Sequence, residues 1–235
     1  MDGYFLTADL LGFGNIVRNS NDAELKTRVG NWIELIDQAK AASRLYNHIQ
    51  LISDTIFVAA DSSEDGLKSI VSFARELLNA GSRRSLPVRG GISHGNFEWG
   101  TLTYGKAVIQ SHQLESRQNW IGISCQADLP HAASLWGPDG LICYPPPMKS
   151  GQIQLLPVIV WDVPPFDEFR ASLLTNGLMK AGETLAWPWA QKFANTIEFR
   201  TYLEIVGGAG GNYERFHGTL PVETITANVV RPPDA

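Results

Sequence analysis

The stretch from Tyr4 to Val17, YFLTADLLGFGNIV, closes an apolar run with Asp9 and follows it with Gly12 and Gly14. Tyr4 to Asp9 has the composition of a buried strand. Beyond the glycines, Leu25, Val29, Trp32, Ile33 and Ile36 recur at helical spacing and predict one long amphipathic helix. The unit reads as strand, turn, helix. An aspartate at the end of such a strand is costly unless it is paired. Two readings of it stand open. Asp9 can start a turn that the glycines merely permit. Alternatively, its carboxylate holds a hard cation, while Gly12, Phe13 and Gly14 turn backbone N–H groups towards phosphate oxygens.

A second aspartate sharpens the question. In LISDTIFVAA, Leu51 to Ala60, Asp54 interrupts what is otherwise continuous strand, and two β-rich runs meet at Ser53-Asp54 as a hairpin. Taken alone, Asp54 is either a solvated Asx turn or a metal ligand. If the strands of Asp9 and Asp54 are neighbours, both carboxylates converge at one sheet end. They can then bridge two Mg²⁺ or Mn²⁺ ions about 4 Å apart, which is equipment for phosphoryl transfer.

Working outward, Ser63 can cap a helix whose buried face is Leu67, Ile70, Val71, Ala74, Leu77 and Leu78. VRGGISHGNFEWGTLTYG, from Val88, reads as two more strands, and Lys106 to about Arg117 as a helix with Ala107, Val108, Ser111 and Leu114 inward. WIGIS and IQLLPVIVW supply later strands. Helices separated by antiparallel hairpins argue for an α+β sandwich with a ferredoxin-like heart. Pro164-Pro165 marks a change at which we divide the chain into a domain of residues 1–163 and a packed C-terminal extension, 164–235. Leu173, Leu174, Leu178, Trp187 and Trp189 imply burial in that extension. VGGAGG, from Val206, lacks the context of a phosphate loop and reads as a flexible turn.

The 235 residues are 44% apolar and 18% charged, with a formal net charge of −5. That balance offers no field to draw in a nucleic-acid backbone. Cys125 and Cys143 are too few for a disulfide scaffold and lack CxxC spacing for zinc, as the histidines His48, His94, His112 and His131 lack HExxH-like spacing. No basic leader and no run of about 18 apolar residues is present, so a cytoplasmic protein without a membrane or nucleic-acid partner is expected.

Four segments together resemble the class III nucleotidyl cyclases. They are Asp9-Leu10-Leu11-Gly12-Phe13, the hairpin Ser53-Asp54, Arg89-Gly90-Gly91-Ile92-Ser93-His94-Gly95, and Gly105-Lys106-Ala107-Val108. The resemblance runs from about Tyr4 to Trp161. It implies a class III cyclase core, with Asp9, Leu10 and Asp54 as the metal-holding positions for two Mn²⁺ or Mg²⁺ ions. It also implies that the backbone of Leu10 and Gly12 to Gly14 faces a nucleoside triphosphate. The family works as a head-to-tail dimer with metals on one protomer and base contacts on the other, so a homodimer with shared sites is implied.

Departures from the family pattern are equally informative. Ile109 and Gln113 stand where the family's transition-state Asn and Arg would be. Isoleucine cannot hydrogen-bond a ribose, and glutamine carries no charge for the α-phosphate. Arg117, one turn beyond Gln113, and Lys106 can reach a phosphate instead, or are surface charges. Lys149 is similar to the family's triphosphate-binding lysine. Gln50 and Leu102 align with the purine-reading pair, and neither the adenine nor the guanine combination is present.

That erasure fits the bacterial pyrimidine cyclases of Pycsar antiphage systems, which SHGNF and YGKAVIQSHQLES resemble. These make cyclic UMP or cyclic CMP to activate a separate effector. Tyr104 either lines the base pocket or packs in the core. The reading is a uridylate cyclase, with a non-catalytic nucleotide-binding or dimerisation module as its rival.

Overall fold

The computed structural model describes residues 1–43, 48–165, 167–168, 171, 187–208 and 210–218. Its elements are β1 (Asp2–Leu10), α1 (Phe13–Asn19), α2 (Asp22–Ser43), β2 (Ile49–Ile52), β3 (Thr55–Asp61), α3 (Glu64–Arg83), β4 (Val88–Glu98), β5 (Tyr104–Gly105) and α4 (Lys106–Arg117). Then follow β6 (Gly122–Cys125), a 3-10 turn (Ala132–Ser134), β7 (Leu141–Tyr144), β8 (Leu156–Ile159) and α5 (Trp187–Gly208). The sheet runs β2-β3-β1-β4-β6-β8-β7, with β5 paired to β4. Its first four strands form antiparallel neighbours in the order β2-β3-β1-β4, which is the ferredoxin-like arrangement of two interlocked βαβ units. The α+β class expected from the element order is the observed one.

Strand alternation sorts the side chains onto two faces. On β1, Tyr4, Leu6, Ala8 and Leu10 join the large core, with α2 and α3 above them. Phe5 points to the opposite face with Ala59, Phe97 and Ala107, and Thr7 bonds Ser111 of α4 there at 2.7 Å. Asp9 continues that second series. Gly91 lets α4 approach, since a Cβ there would stand 2.5 Å from the Ser111 carbonyl oxygen. The sheet face under α4 is therefore where chemistry-bearing residues gather.

Ser63 caps α3 as predicted, accepting from the Gly66 amide at 3.0 Å, and all six expected apolar residues of that helix are buried. The long first helix is instead two. Ser20 ends α1, and Asn21 and Glu24 exchange side-chain bonds to each other's amides at 3.0 Å, a capping box that starts α2. The buried stripe of α2 is Trp32, Leu35, Ile36 and Ala39, whereas Ile33 is exposed, because it lies about 100° around the helix from Trp32. VGGAGG closes α5, with the Gly211 amide on the Val206 carbonyl at 2.9 Å. Phe193, Phe199, Tyr202 and Val206 of α5 belong to the main core, with Trp189 packed against it. Leu173, Leu174 and Leu178 lie outside the described residues, as does the side chain of Trp187. Among the described residues no helix is long and apolar enough to cross a membrane.

Candidate active site

Asp9 pairs with Thr55 in the β1–β3 ladder, and the Leu10 amide donates to the Asp54 carbonyl at 3.2 Å, so the two aspartates meet at one end of the sheet. Ser53 makes the turn tight by taking a left-handed φ of 59°. Thr55 Oγ1 donates to Asp9 Oδ1 at 3.3 Å. Burial and the neighbouring Asp54 and Glu115 charges push the Asp9 carboxyl up to about 7, against the pull of Arg89 and Thr55. Two carboxylates with backbone oxygens at hand are a hard donor set. Mg²⁺ and Mn²⁺ suit it, because such ions take one or two protein carboxylates and complete their shell with water and phosphate. Among the described residues no group of three or more His, Cys, Asp or Glu converges for a metal, so a softer or all-protein cage has no support there. Leu10 itself is in the core, leaving only its backbone to the site.

Behind Asp9 stands a buried ion pair. Arg89 is Asp9's partner across the β1–β4 ladder, and its Nε donates to Glu115 of α4 at 2.8 Å while Nη2 reaches the same oxygen. Nη1 donates to the Gln118 carbonyl at 3.2 Å. Gln118 in turn bonds the Gly90 carbonyl at 2.8 Å and accepts from Trp120 at 2.6 Å. Sequence reasoning missed Glu115 and the role of Arg89. The available signal was an acidic residue on the inward stripe of α4, in phase with Ala107 and Ser111, with an arginine opening an apolar strand.

Gln50 and Thr103, the neighbour of Leu102, come from separate segments and meet. Thr103 Oγ1 lies 3.3 Å from Gln50 Oε1 and 3.3 Å from the Gly100 carbonyl, placing the β4–β5 hairpin beside β2. Gln50 faces Phe57, so it shares the α4 side of the sheet with Thr55 and Asp9. Within one chain it lies four residues before Asp54, on the strand that enters the Ser53-Asp54 turn. Leu102 is 73% exposed and Tyr104 56% exposed, which removes the packed-core reading of Tyr104.

No known family profile matches the sequence, and no curated protein matches it by sequence. Solved structures do match the fold. A bacterial light-regulated adenylyl cyclase superposes with TM-score 0.52 at 11% identity, covering 74% of this chain and 97% of its own. The catalytic core of a rhodopsin-guanylyl cyclase of converted specificity, in complex with ATPαS, gives 0.52 at 15%, covering 68% and 96%. The guanylyl cyclase domain of a rhodopsin fusion from Blastocladiella emersonii gives 0.50 at 14%, covering 61% and 90%. The chain has the fold of a class III cyclase catalytic domain.

On this cyclase fold, Gly12 caps α1 in the left-handed conformation at φ 85°, Phe13 packs against the core, and the Gly14 carbonyl accepts from Arg18. The outer face of α4 carries Lys106, Ile109, Gln113 and Arg117, all exposed. Gln113 and Arg117 line a cleft of about 240 Å³ with Gln110, Gln126 and Gln152. The structure thus separates Arg117 and Gln113 from the inward face that meets Asp9 and Arg89. Lys149 anchors to the end of α4, its amide on the Arg117 carbonyl at 2.8 Å and its Nζ on that of Ser116 at 2.6 Å. Burial and the Arg89 charge lower its proton affinity, with Glu115 and Asp9 opposing.

Proposed function

We propose that this chain is a metal-dependent nucleotidyl cyclase that converts a pyrimidine nucleoside triphosphate, UTP first and CTP second, to its 3′,5′-cyclic monophosphate and pyrophosphate. The observation that carries the reading is the Asp9–Asp54 meeting on a cyclase fold, where burial and the neighbouring Asp54 charge raise Asp9 to about 7. Like charges held together in this way favour a cation between them. Asp9 and Asp54, with the backbone of Leu10, would hold two Mn²⁺ or Mg²⁺ ions. Bound divalent ions supply activation of the ribose 3′-hydroxyl and neutralisation of the leaving pyrophosphate.

The chain's own residues supply positioning. Thr55 holds one Asp9 oxygen, and the Arg89–Glu115 pair sets the strand beneath it. In this reading the chain forms a homodimer in which one protomer's Gln50 side faces the other's carboxylates, with exposed Leu102 and Tyr104 beside Gln50 on that side. Gln50 and Leu102 lack the charged partners of a purine reader, which supports pyrimidine choice. In this reading residues 1–163 are the catalytic core and 164–235 its extension. The enzyme is cytoplasmic, and its cyclic nucleotide acts as an antiphage messenger on a separate effector.

One observation favours a second reading. Ile109 and Gln113 sit exposed on α4 without transition-state chemistry, as a non-catalytic nucleotide-binding module would have them. Purified protein incubated with Mn²⁺ and each of the four ribonucleoside triphosphates, with products separated, decides between them. Cyclic UMP above the other products supports the cyclase. Binding without any cyclic product supports the module.

A further inference from the structure

We propose that Lys192, carried by the C-terminal helix α5, joins Lys149 in binding the phosphoanhydride chain of the substrate and of released pyrophosphate, an assignment that rests on the cyclase reading above. The two lysines and Arg89 are tied to one short segment, the connection from Ser116 to Ile121 that leaves α4 and enters β6. Arg89 donates to the Gln118 carbonyl at 3.2 Å. Lys149 bonds the Ser116 carbonyl through Nζ at 2.6 Å and the Arg117 carbonyl through its amide at 2.8 Å. The turn bearing Lys192 is fastened to the same segment by two bonds. Asn195 donates to the Asn119 carbonyl at 2.7 Å, and the Ile121 amide donates to Thr196 Oγ1 at 3.0 Å. The Thr196 hydroxyl donates to the Lys192 carbonyl at 2.7 Å, which makes the linkage continuous.

The helix cannot rotate away from this position. Phe193 and Phe199 are buried in the main core, and the Lys192 ammonium lies over the Trp189 ring, 5.9 Å from its centroid. Residues 192, 195 and 196 share a helix face because they are three and four apart. Lys192 therefore projects on the side of α5 that meets the connection.

Electrostatics agrees with the geometry. Burial, then Arg89 and Lys149, lower the proton affinity of Lys192, and Arg89 does the same to Lys149. Two lysines and the Glu115-paired Arg89 thus lie within electrostatic reach of one another, and Asp9 acts on Lys149 as well. A metal-bound di- or triphosphate would suit this arrangement, with Lys149 and Lys192 donating to its oxygens and Asp9 and Asp54 holding its ions. The arrangement also addresses a gap in α4, where Gln113 offers no charge and Arg117 turns to the cleft. The cation comes from the extension instead.

The test uses full-length protein and Mn²⁺-pyrophosphate, with orthophosphate as a second probe, titrated calorimetrically beside steady-state kinetics with UTP. Lys192→Gln should weaken pyrophosphate binding about 10-fold, the scale of one charge-assisted hydrogen bond, with a smaller effect on orthophosphate. KM for UTP should rise with it. Lys192→Arg should stay within about 3-fold of wild type, a rescue expected when charge is what matters. Lys26→Gln, which removes the same charge from the exposed face of α2, should change nothing. Melting temperatures identify any variant that fails to fold, and Lys192→Arg then carries the comparison with wild type. Pyrophosphate affinity in folded Lys192→Gln equal to wild type overturns the Lys192 assignment while leaving the cyclase reading intact. Wild-type protein that neither binds pyrophosphate nor turns over any nucleotide overturns both.

Discussion

Asp9 and Arg89 stand opposite each other in the β1–β4 ladder, yet the Arg89 guanidinium turns to Glu115 of α4. Asp9 thereby receives the field of a nearby cation without forming an ion pair with it, and its proton affinity stays high. The carboxylate is left for something else to neutralise. Glu115, which satisfies Arg89, raises Asp9 a little further by its own charge. The ion pair and the carboxylate pair are thus one electrostatic unit.

From this follows a pH dependence of stability. Asp9 shifts from an ordinary 3.8 to about 7 in the folded chain. The native state then keeps a proton that the unfolded chain has lost, so the associated stability is complete below about pH 4 and is lost as pH rises through about 7. In metal-free protein, the melting temperature should fall between pH 5 and pH 8, and Asp9→Asn should lack that component. Saturating Mn²⁺ should flatten the wild-type curve at the alkaline end. Parallel curves for wild type and Asp9→Asn would remove the basis for the raised carboxyl.

The Arg89–Glu115 pair should matter far more than a surface pair. Arg89 is 8% exposed and Glu115 4%. Removing one member leaves the other as a buried, uncompensated charge, which costs about 3–5 kcal/mol. For a chain of this size, Glu115→Ala should lower the melting temperature by roughly 10 °C. Urea midpoints should fall in step with unchanged slopes. A loss below about 1 kcal/mol, the range of surface pairs, would mean that the pair is solvated in solution.

How much of this was legible in sequence depended on range. Strands β1, β3 and β4 and helix α3 follow from period and capping, and α4 coincides with the stretch from Lys106 to Arg117. Asp9 and Asp54 were legible because carboxylates inside apolar strands are conspicuous. The break between α1 and α2 was not, since Asn21 and Glu24 are a local signal submerged in a longer helical pattern. Strand β7, LICY, was missed because Gly140 before it and Pro145 to Pro147 after it give the stretch the composition of a loop. The convergence of Arg89, Lys149 and Lys192 is tertiary. Residues 60 and 43 positions apart meet only because β4, the loop before β8 and α5 all meet the α4–β6 connection.

Metal dependence gives a sharper mutational expectation. Asp9→Asn and Asp54→Asn each replace an anionic oxygen with a near-isostere, so each should abolish turnover while the dimer stays folded. Mixing Asp54→Asn chains with chains damaged at Gln50 should rebuild one intact site per heterodimer if sites are shared between protomers. Verified heterodimers without recovered activity would place each site within one chain.

Base choice is the most specific expectation. In the proposed reading Gln50 and Leu102 would occupy the two reading places, and the Thr103 hydroxyl on Gln50 Oε1 would leave the amide NH₂ group turned outward as the donor. An outward donor suits a carbonyl oxygen such as those of uracil. It does not suit the exocyclic amine of adenine, and Leu102 offers only a wall. Each buried polar group of a purine left unpaired costs on the order of 1–3 kcal/mol, or roughly ten-fold to a hundred-fold in specificity. Two such losses put kcat/KM for UTP at least about two decades above those for ATP and GTP. CTP should fall between, because its amine reverses one donor at the same edge while its ring still fits. Competition kinetics with all four nucleotides measure these ratios directly. Specificity constants for ATP or GTP at or above that for UTP would rule out this pocket and make the protein a purine cyclase.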